Sequence, residues 1–187
     1  MGRLIYSMNV SLDGYVADRD GGLDWTIVDA EIHSFWTEQT RESDAVVWGR
    51  RIYELMVAYW PTADSDPNAT PWMLDYARVT NPKPKVVFST SLESVTWNGR
   101  LVRGEVGDVL DRLREEFAGD LVLAGPTLAA QFVRAGLVDE YRVVVHPVIV
   151  GGGLPFFPEL EQPAGLRLIE SRTFESGAMY LGYAAKR

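Results

Sequence analysis

The stretch Leu121-Val122-Leu123-Ala124-Gly125-Pro126-Thr127-Leu128-Ala129-Ala130-Gln131-Phe132-Val133-Arg134-Ala135-Gly136 reads as a strand, a tight turn and a helix in one run. Residues 121–123 are continuously apolar, as in a strand buried on both faces. Gly125 and Pro126 break the run, and a proline suits a first helical turn, where no N–H is required. Leu128, Gln131, Phe132 and Ala135 then form one helical stripe, with Gly136 as its stop.

The same grammar extends in both directions. Strand-like runs are expected at residues 4–8, 45–48, 85–88, 141–146, 166–173 and 179–184. Between them Asp29 is an N-cap for a helix carrying Ile32, Phe35 and Trp36. Thr70-Pro71 opens another, and Asp108 begins a third with Val109, Leu110, Leu113 and Phe117 on one face. Alternating strands and helices define an α/β domain with a mostly parallel sheet. The last two strands, joined by Glu175-Ser176-Gly177, form an antiparallel C-terminal hairpin. Residues 60–84, rich in Pro, Asp, Asn and Thr, are an excursion over the surface and not a boundary, so residues 1–187 make a single domain.

Composition excludes several function classes. With no cysteine there is no disulfide, thiolate metal site or cysteine nucleophile. His33 and His146 are the only histidines and no ligand cluster accompanies them, so no metal is expected. A net charge of −8 opposes general nucleic-acid binding. The absence of a signal-like start or a long apolar run makes the cytoplasm the expected location, with no membrane partner. An anionic ligand would need a local cationic cluster and free backbone N–H groups. Four apolar runs end in residues that suit it: Ala45-Val46-Val47-Trp48 before Gly49-Arg50-Arg51, Val86-Val87-Phe88 before Ser89-Thr90-Ser91, the run before Gly125, and Val148-Ile149-Val150 before Gly151-Gly152-Gly153. Singly, each is as well explained by turn chemistry. Neither a P-loop nor a G-x-G-x-x-G turn is present.

Four ordered blocks carry a resemblance. They are Ser11-Leu12-Asp13-Gly14-Tyr15-Val16-Ala17, the run from Asp44 through Gly49-Arg50-Arg51-Ile52-Tyr53-Glu54, Gly136-Leu137-Val138-Asp139-Glu140, and Pro147 through Gly151-Gly152-Gly153-Leu154-Pro155-Phe156-Phe157. Together they resemble the dihydrofolate reductase-like superfamily, and more narrowly stand-alone relatives of the riboflavin-biosynthesis (RibD C-terminal) reductase domain. The resemblance implies a three-layer α/β/α fold and an NADPH-dependent oxidoreductase. It implies Met8, Asn9, Val16 and Ala17 beside the nicotinamide, and Gly49 and Arg50 on the phosphates. Arg50 and Ser89 would meet the 2′-phosphate, and Arg51 and Thr90 would also belong to the cofactor-binding set. Ala124, Gly125, Pro126, Thr127 and Leu128 would wrap the pyrophosphate. It also implies a homodimer, with the Pro155-Phe156-Phe157-Pro158 region contributing.

There are departures from the pattern. Ile52 stands where the family has a phosphate-binding threonine, and Pro126 replaces a common glycine, removing one N–H donor. The substrate-binding A-D-D-P-x-L-x-x-R segment is replaced by Leu55-Met56-Val57-Ala58-Tyr59-Trp60-Pro61, so Tyr59 and Trp60 become the substrate-contact candidates. Candidate proton donors are Asp13, Asp29 and Glu31, although Asp13 also suits a turn and Asp29 a cap. Three readings stay open: a reductase of a small heteroaromatic or conjugated substrate, a reductase of an unrelated apolar compound, and a non-catalytic NADPH- or pterin-binding protein.

Overall fold

The computed structural model describes residues 2–186. Its principal sheet contains β1 (Leu4–Ser11), β3 (Ala45–Gly49), β4 (Lys85–Phe88), β5 (Gly99–Val102), β6 (Leu121–Ala124), β7 (Glu140–His146), β9 (Leu166–Thr173) and β10 (Met179–Ala185). The spatial order is β5-β4-β3-β6-β1-β7-β10-β9. Every pairing from β5 to β7 is parallel, and β10 pairs antiparallel with both β7 and β9. A separate two-stranded ribbon joins β2 (Tyr15–Ala17) to β8 (Leu154–Pro155).

Side-chain alternation divides the core between the two faces of the sheet. Leu4, Tyr6, Ala45, Val47, Leu121 and Leu123 share one cluster with α4 (Val106–Glu116) and α5 (Pro126–Arg134). The alternate residues Val46, Trp48 and Val122 face α2 (Arg50–Val57). Farther along that face, Val144 and Tyr180 pack against Ile32 and Phe35 of α1 (Ala30–Glu42). The remaining helix, α3 (Pro71–Thr80), lies on α1. Helices on both faces give the expected three layers. No helix among the described residues is long and apolar enough to cross a membrane.

The caps agree with the residue chemistry. Asp29 accepts from Ile32 N at 2.8 Å, and Thr70 accepts from Met73 N at 3.4 Å. The α4 helix starts at Val106 with Glu105 as its cap residue, ahead of the expected Asp108. Gly136 follows the end of α5 with φ +66°. One expected strand end is absent: β7 stops at His146, and residues 148–150 are loop. Pro147 has no N–H to continue the ladder, and Val148 O instead accepts from Leu12 N at 2.8 Å. Gly151, Gly152 and Gly153 therefore follow a loop and lead into β8.

Candidate functional site

The carboxyl ends of β3, β4, β5 and β6 open onto one cavity of about 670 Å³, within the usual range for small-molecule sites. Gly49 and Gly125 cap α2 and α5 without a side-chain hydrogen bond, so the first-turn N–H groups are left for another acceptor. Gly125 has φ +100°, and a Cβ there would lie 2.9 Å from Ile52 Cγ1. That turn brings the two helix starts together. Its close approach requires glycine.

Of the residues predicted for the cofactor, Met8, Val16, Ala17, Gly49, Arg50, Arg51, Ser89, Thr90, Gly125, Pro126, Thr127 and Leu128 line this cavity. Ala124 and Asn9 are not on its wall. Ala124 ends β6 and packs in the Trp48 cluster on the α2 face. Asn9 lies on the face of β1 opposite Met8, bonded to Trp36 and His146.

Charge is distributed to suit an anion at one end. Arg50 pairs loosely with Glu54 at 3.2 Å, one helical turn on, while Arg51 makes no ion pair among the described residues. Arg103, which the sequence reading missed, adds a third guanidinium to the wall. Its Nη2 donates to Leu92 O at 2.7 Å, laying it across the hydroxyl loop, where Ser89 Oγ accepts from Leu92 N at 3.0 Å. Arg103 follows β5, a strand with only Leu101 and Val102 to announce it. Gly104, Gln131, Leu23 and Leu55 were likewise not anticipated. The α2 helix had a usable signal in the helical spacing of Ile52, Tyr53 and Met56.

None of the three acid candidates reaches the cavity wall. Asp13 instead clamps a loop, accepting from Val150 N at 3.1 Å and Gly151 N at 2.8 Å. The Ser11 hydroxyl and these amides hold its carboxyl below the ordinary range. Asp29 caps α1. Glu31 accepts from Glu175 N at 2.9 Å and pairs with Arg172 at 2.6 Å, and these two contacts, the amide first, lower its pKa. These are acceptors in structural contacts, so none is set up as a proton donor to the cavity. Among the described residues no carboxylate belongs to the wall.

Tyr59 and Trp60 also lie off the wall. Tyr59 donates to Asp66 Oδ2 at 2.9 Å. Trp60 packs on Tyr76, with ring centroids 4.5 Å apart, and on His33 at 5.8 Å. Burial lowers the His33 pKa, and Trp72 covers the same imidazole at 4.3 Å. The aromatic segment is thus committed to joining α1 to α3.

A doubly covered sheet with this order, helix N-termini facing a cleft and an antiparallel C-terminal pair define a dihydrofolate reductase-like α/β/α protein. The chain belongs to the RibD C-terminal domain family, which matches residues 3–180. It is 30% identical over 183 residues to the uncharacterized protein YyaP of Bacillus subtilis (strain 168), covering 97% of this chain and 94% of YyaP. The crystal structure of a putative riboflavin biosynthesis protein from Shewanella sp. PV-4 superposes with a TM-score of 0.76 at 26% identity, over 99% of both chains. Dihydrofolate reductase from Enterococcus faecalis, complexed with NADP(H) and RAB-propyl, shares the fold with a TM-score of 0.67 at 16% identity, over 100% of this chain and 98% of that one.

Proposed function

We propose that the chain is an NADPH-dependent reductase that delivers hydride to a small heteroaromatic or conjugated substrate. The observation that carries this reading is one cavity on which two uncapped helix starts, three arginines and the Ser89-Thr90 hydroxyls converge. Such a set fits a dinucleotide: backbone N–H groups for the pyrophosphate, and cations with hydroxyls for an added phosphate. The opposite end, with Met8, Val16, Ala17, Leu23 and Leu154, is apolar and suits the flat nicotinamide face. The cofactor, when bound, supplies the hydride. The protein excludes water around the apolar end and fixes the approach of the second substrate. With no acid on the wall, the balancing proton comes from solvent.

Tryptophan fluorescence tests the reading. NADPH is expected to give saturable quenching at micromolar concentration and to bind about tenfold more tightly than NADH, the worth of one charge-assisted contact. Arg51→Glu is expected to erase that preference. Absence of saturable quenching up to millimolar NADPH would overturn the proposal. The lack of a wall carboxylate favours a second reading, a protein that binds NADPH without turning it over. It is the better one if bound NADPH is oxidised by no pteridine, pyrimidine or quinone.

The partner proposed is a second copy. β9 is an edge strand exposed along nearly all its length, with Leu168 50% and Ile169 41% accessible. Such an edge invites pairing. Antiparallel self-pairing centred on Ser171 sets Glu170 opposite Arg172 of the second copy, twice by symmetry. Light scattering is expected to give a dimer mass at micromolar concentration and a monomer mass for Ile169→Lys. A monomeric wild type rejects the pairing.

A further inference from the structure

The cavity wall is sorted by chemistry along the sheet. Arg103 follows β5 and the Ser89-Thr90 hydroxyls follow β4, while Met8 lies on β1 and Val16 and Ala17 on the adjoining β2. β5 and β1 are four strand steps apart in the sheet order, or ~19 Å at ~4.8 Å per step. Arg50 and Arg51 begin α2 after β3, between these limits. The cations of the wall therefore stand at β3 or toward β5, and the β1 end presents apolar side chains. Met8 is held at that end by Gly125 N, which donates to its sulfur at 3.4 Å.

Two leucines form the rim of the apolar end. Val16 and Ala17 are buried and make its floor, whereas Leu55 is 55% and Leu23 38% accessible. Leu55 lies one helical turn beyond Arg51 on α2, which packs on β3. Leu23 belongs to a loop fixed to the end of β7: Ile27 N donates to His146 Nδ1 at 3.1 Å, and Trp25 packs on the same ring at 5.8 Å. β3 and β7 flank β6 and β1 in the sheet order, so the leucines reach one cavity from opposite sides. A flat apolar ring between them covers both. An ionised group placed there would lose its water with no cation to replace it.

The wall also restricts the hydride acceptor. Among the described residues no carboxylate, histidine or tyrosine lines the cavity. Hydride addition to an isolated ketone leaves an alkoxide, whose hydroxyl has a pKa near that of water, about 16. Hydride transfer to a quinone leaves a phenolate, whose hydroxyl has a pKa of about 10. The phenolate is the one that forms without a proton donated in the same step. We infer that the second substrate is an uncharged quinone held between Leu23 and Leu55, which act as specificity-determining residues. This rests on reading the cavity as the NADPH site. One hydride passes from NADPH to the quinone, and one proton from solvent completes the hydroquinone and leaves NADP⁺.

The probes are 1,4-naphthoquinone and its 2-sulfonate, titrated calorimetrically with and without NADP⁺. A chain without cysteine offers neither a thiol to alkylate. The wild type is expected to bind the parent quinone about tenfold more tightly than the sulfonate. Leu55→Lys sets a cation at the exposed rim and is expected to bring the two within about twofold. Leu55→Ala loses the same packing without adding charge and is expected to keep the ratio. With NADPH present, the parent quinone is expected to be reduced and α-tetralone, a bicyclic ketone of similar size, is not. A wild type that binds neither probe, a ratio unmoved in Leu55→Lys, or tetralone reduced as fast as the quinone overturns the assignment. NADP⁺ that fails to bind overturns the cofactor reading, while the titrations without it still rank the two probes against the leucine rim.

Discussion

Gly153→Ala is expected to detach the ribbon that walls the apolar end of the cavity, weakening NADPH binding at least tenfold. Gly153 has φ +140°, and a Cβ there would lie 2.1 Å from Ala17 O and 2.8 Å from Asp18 Cα. Backbone cannot yield as a flexible side chain does, so β8 must leave β2. The strain adds about 1–3 kcal/mol to the cost of breaking the ribbon. A total near 3 kcal/mol lowers the melting temperature of a domain this size by about 6–12 °C. Val16, Ala17 and Leu154, the three wall residues from this ribbon, move with it. Gly151→Ala is the control: its φ is +74°, yet nothing lies within 4 Å of the added Cβ. It should cost only the strain, about 1 kcal/mol, and leave cofactor affinity within twofold. Calorimetric melting and NADPH titration of the two variants check both numbers. Equal effects would mean that conformational strain, not the contact with Ala17, governs the ribbon.

The cavity was legible in sequence where its chemistry is local. Gly49-Arg50-Arg51, Ser89-Thr90 and Gly125-Pro126-Thr127 each follow a buried apolar strand directly, so strand, turn and ligand-facing group are read in one run. Arg103 was not legible because β5 has a glycine start and a half-buried pattern, leaving no periodicity to mark its end. The ribbon strands are too short to show a period. Acidic residues misled for a related reason. A carboxylate near a strand end has several local uses, and Asp13, Asp29 and Glu31 are taken up by backbone N–H groups that only tertiary structure supplies for Asp13 and Glu31. Asn9, off the cavity wall, is held by Trp36 and His146, distant from it and from each other in sequence. No motif could hold that information.

Lys85 extends the argument from the cavity to what holds its strands in register. It opens β4, the strand that delivers Phe88, Ser89 and Thr90 to the wall, yet it is only 1% exposed. Its ammonium donates to Thr80 O at 2.6 Å, Asn81 O at 3.2 Å and Lys83 O at 2.8 Å, and lies 4.0 Å over the Trp97 ring. The Thr80 and Asn81 carbonyls end α3, where a cation also meets the negative end of the helix dipole. Lys85→Met keeps the volume but strands buried acceptors, and it is expected to cost about 3 kcal/mol, read from urea unfolding. Burial pushes the ammonium down to about 8 from its ordinary 10.5. Between those values the unfolded chain holds the proton and the native chain has released it. Stability from this group therefore rises with pH across that window. The gap between wild type and Lys85→Met should widen from pH 8 to pH 10, while Lys83→Met, whose ammonium is shifted less and bonds only to Arg41 O and Ser43 O, shows a smaller dependence. A gap that narrows over the same range would mean that the carbonyls and Trp97 outweigh desolvation and hold the ammonium charged.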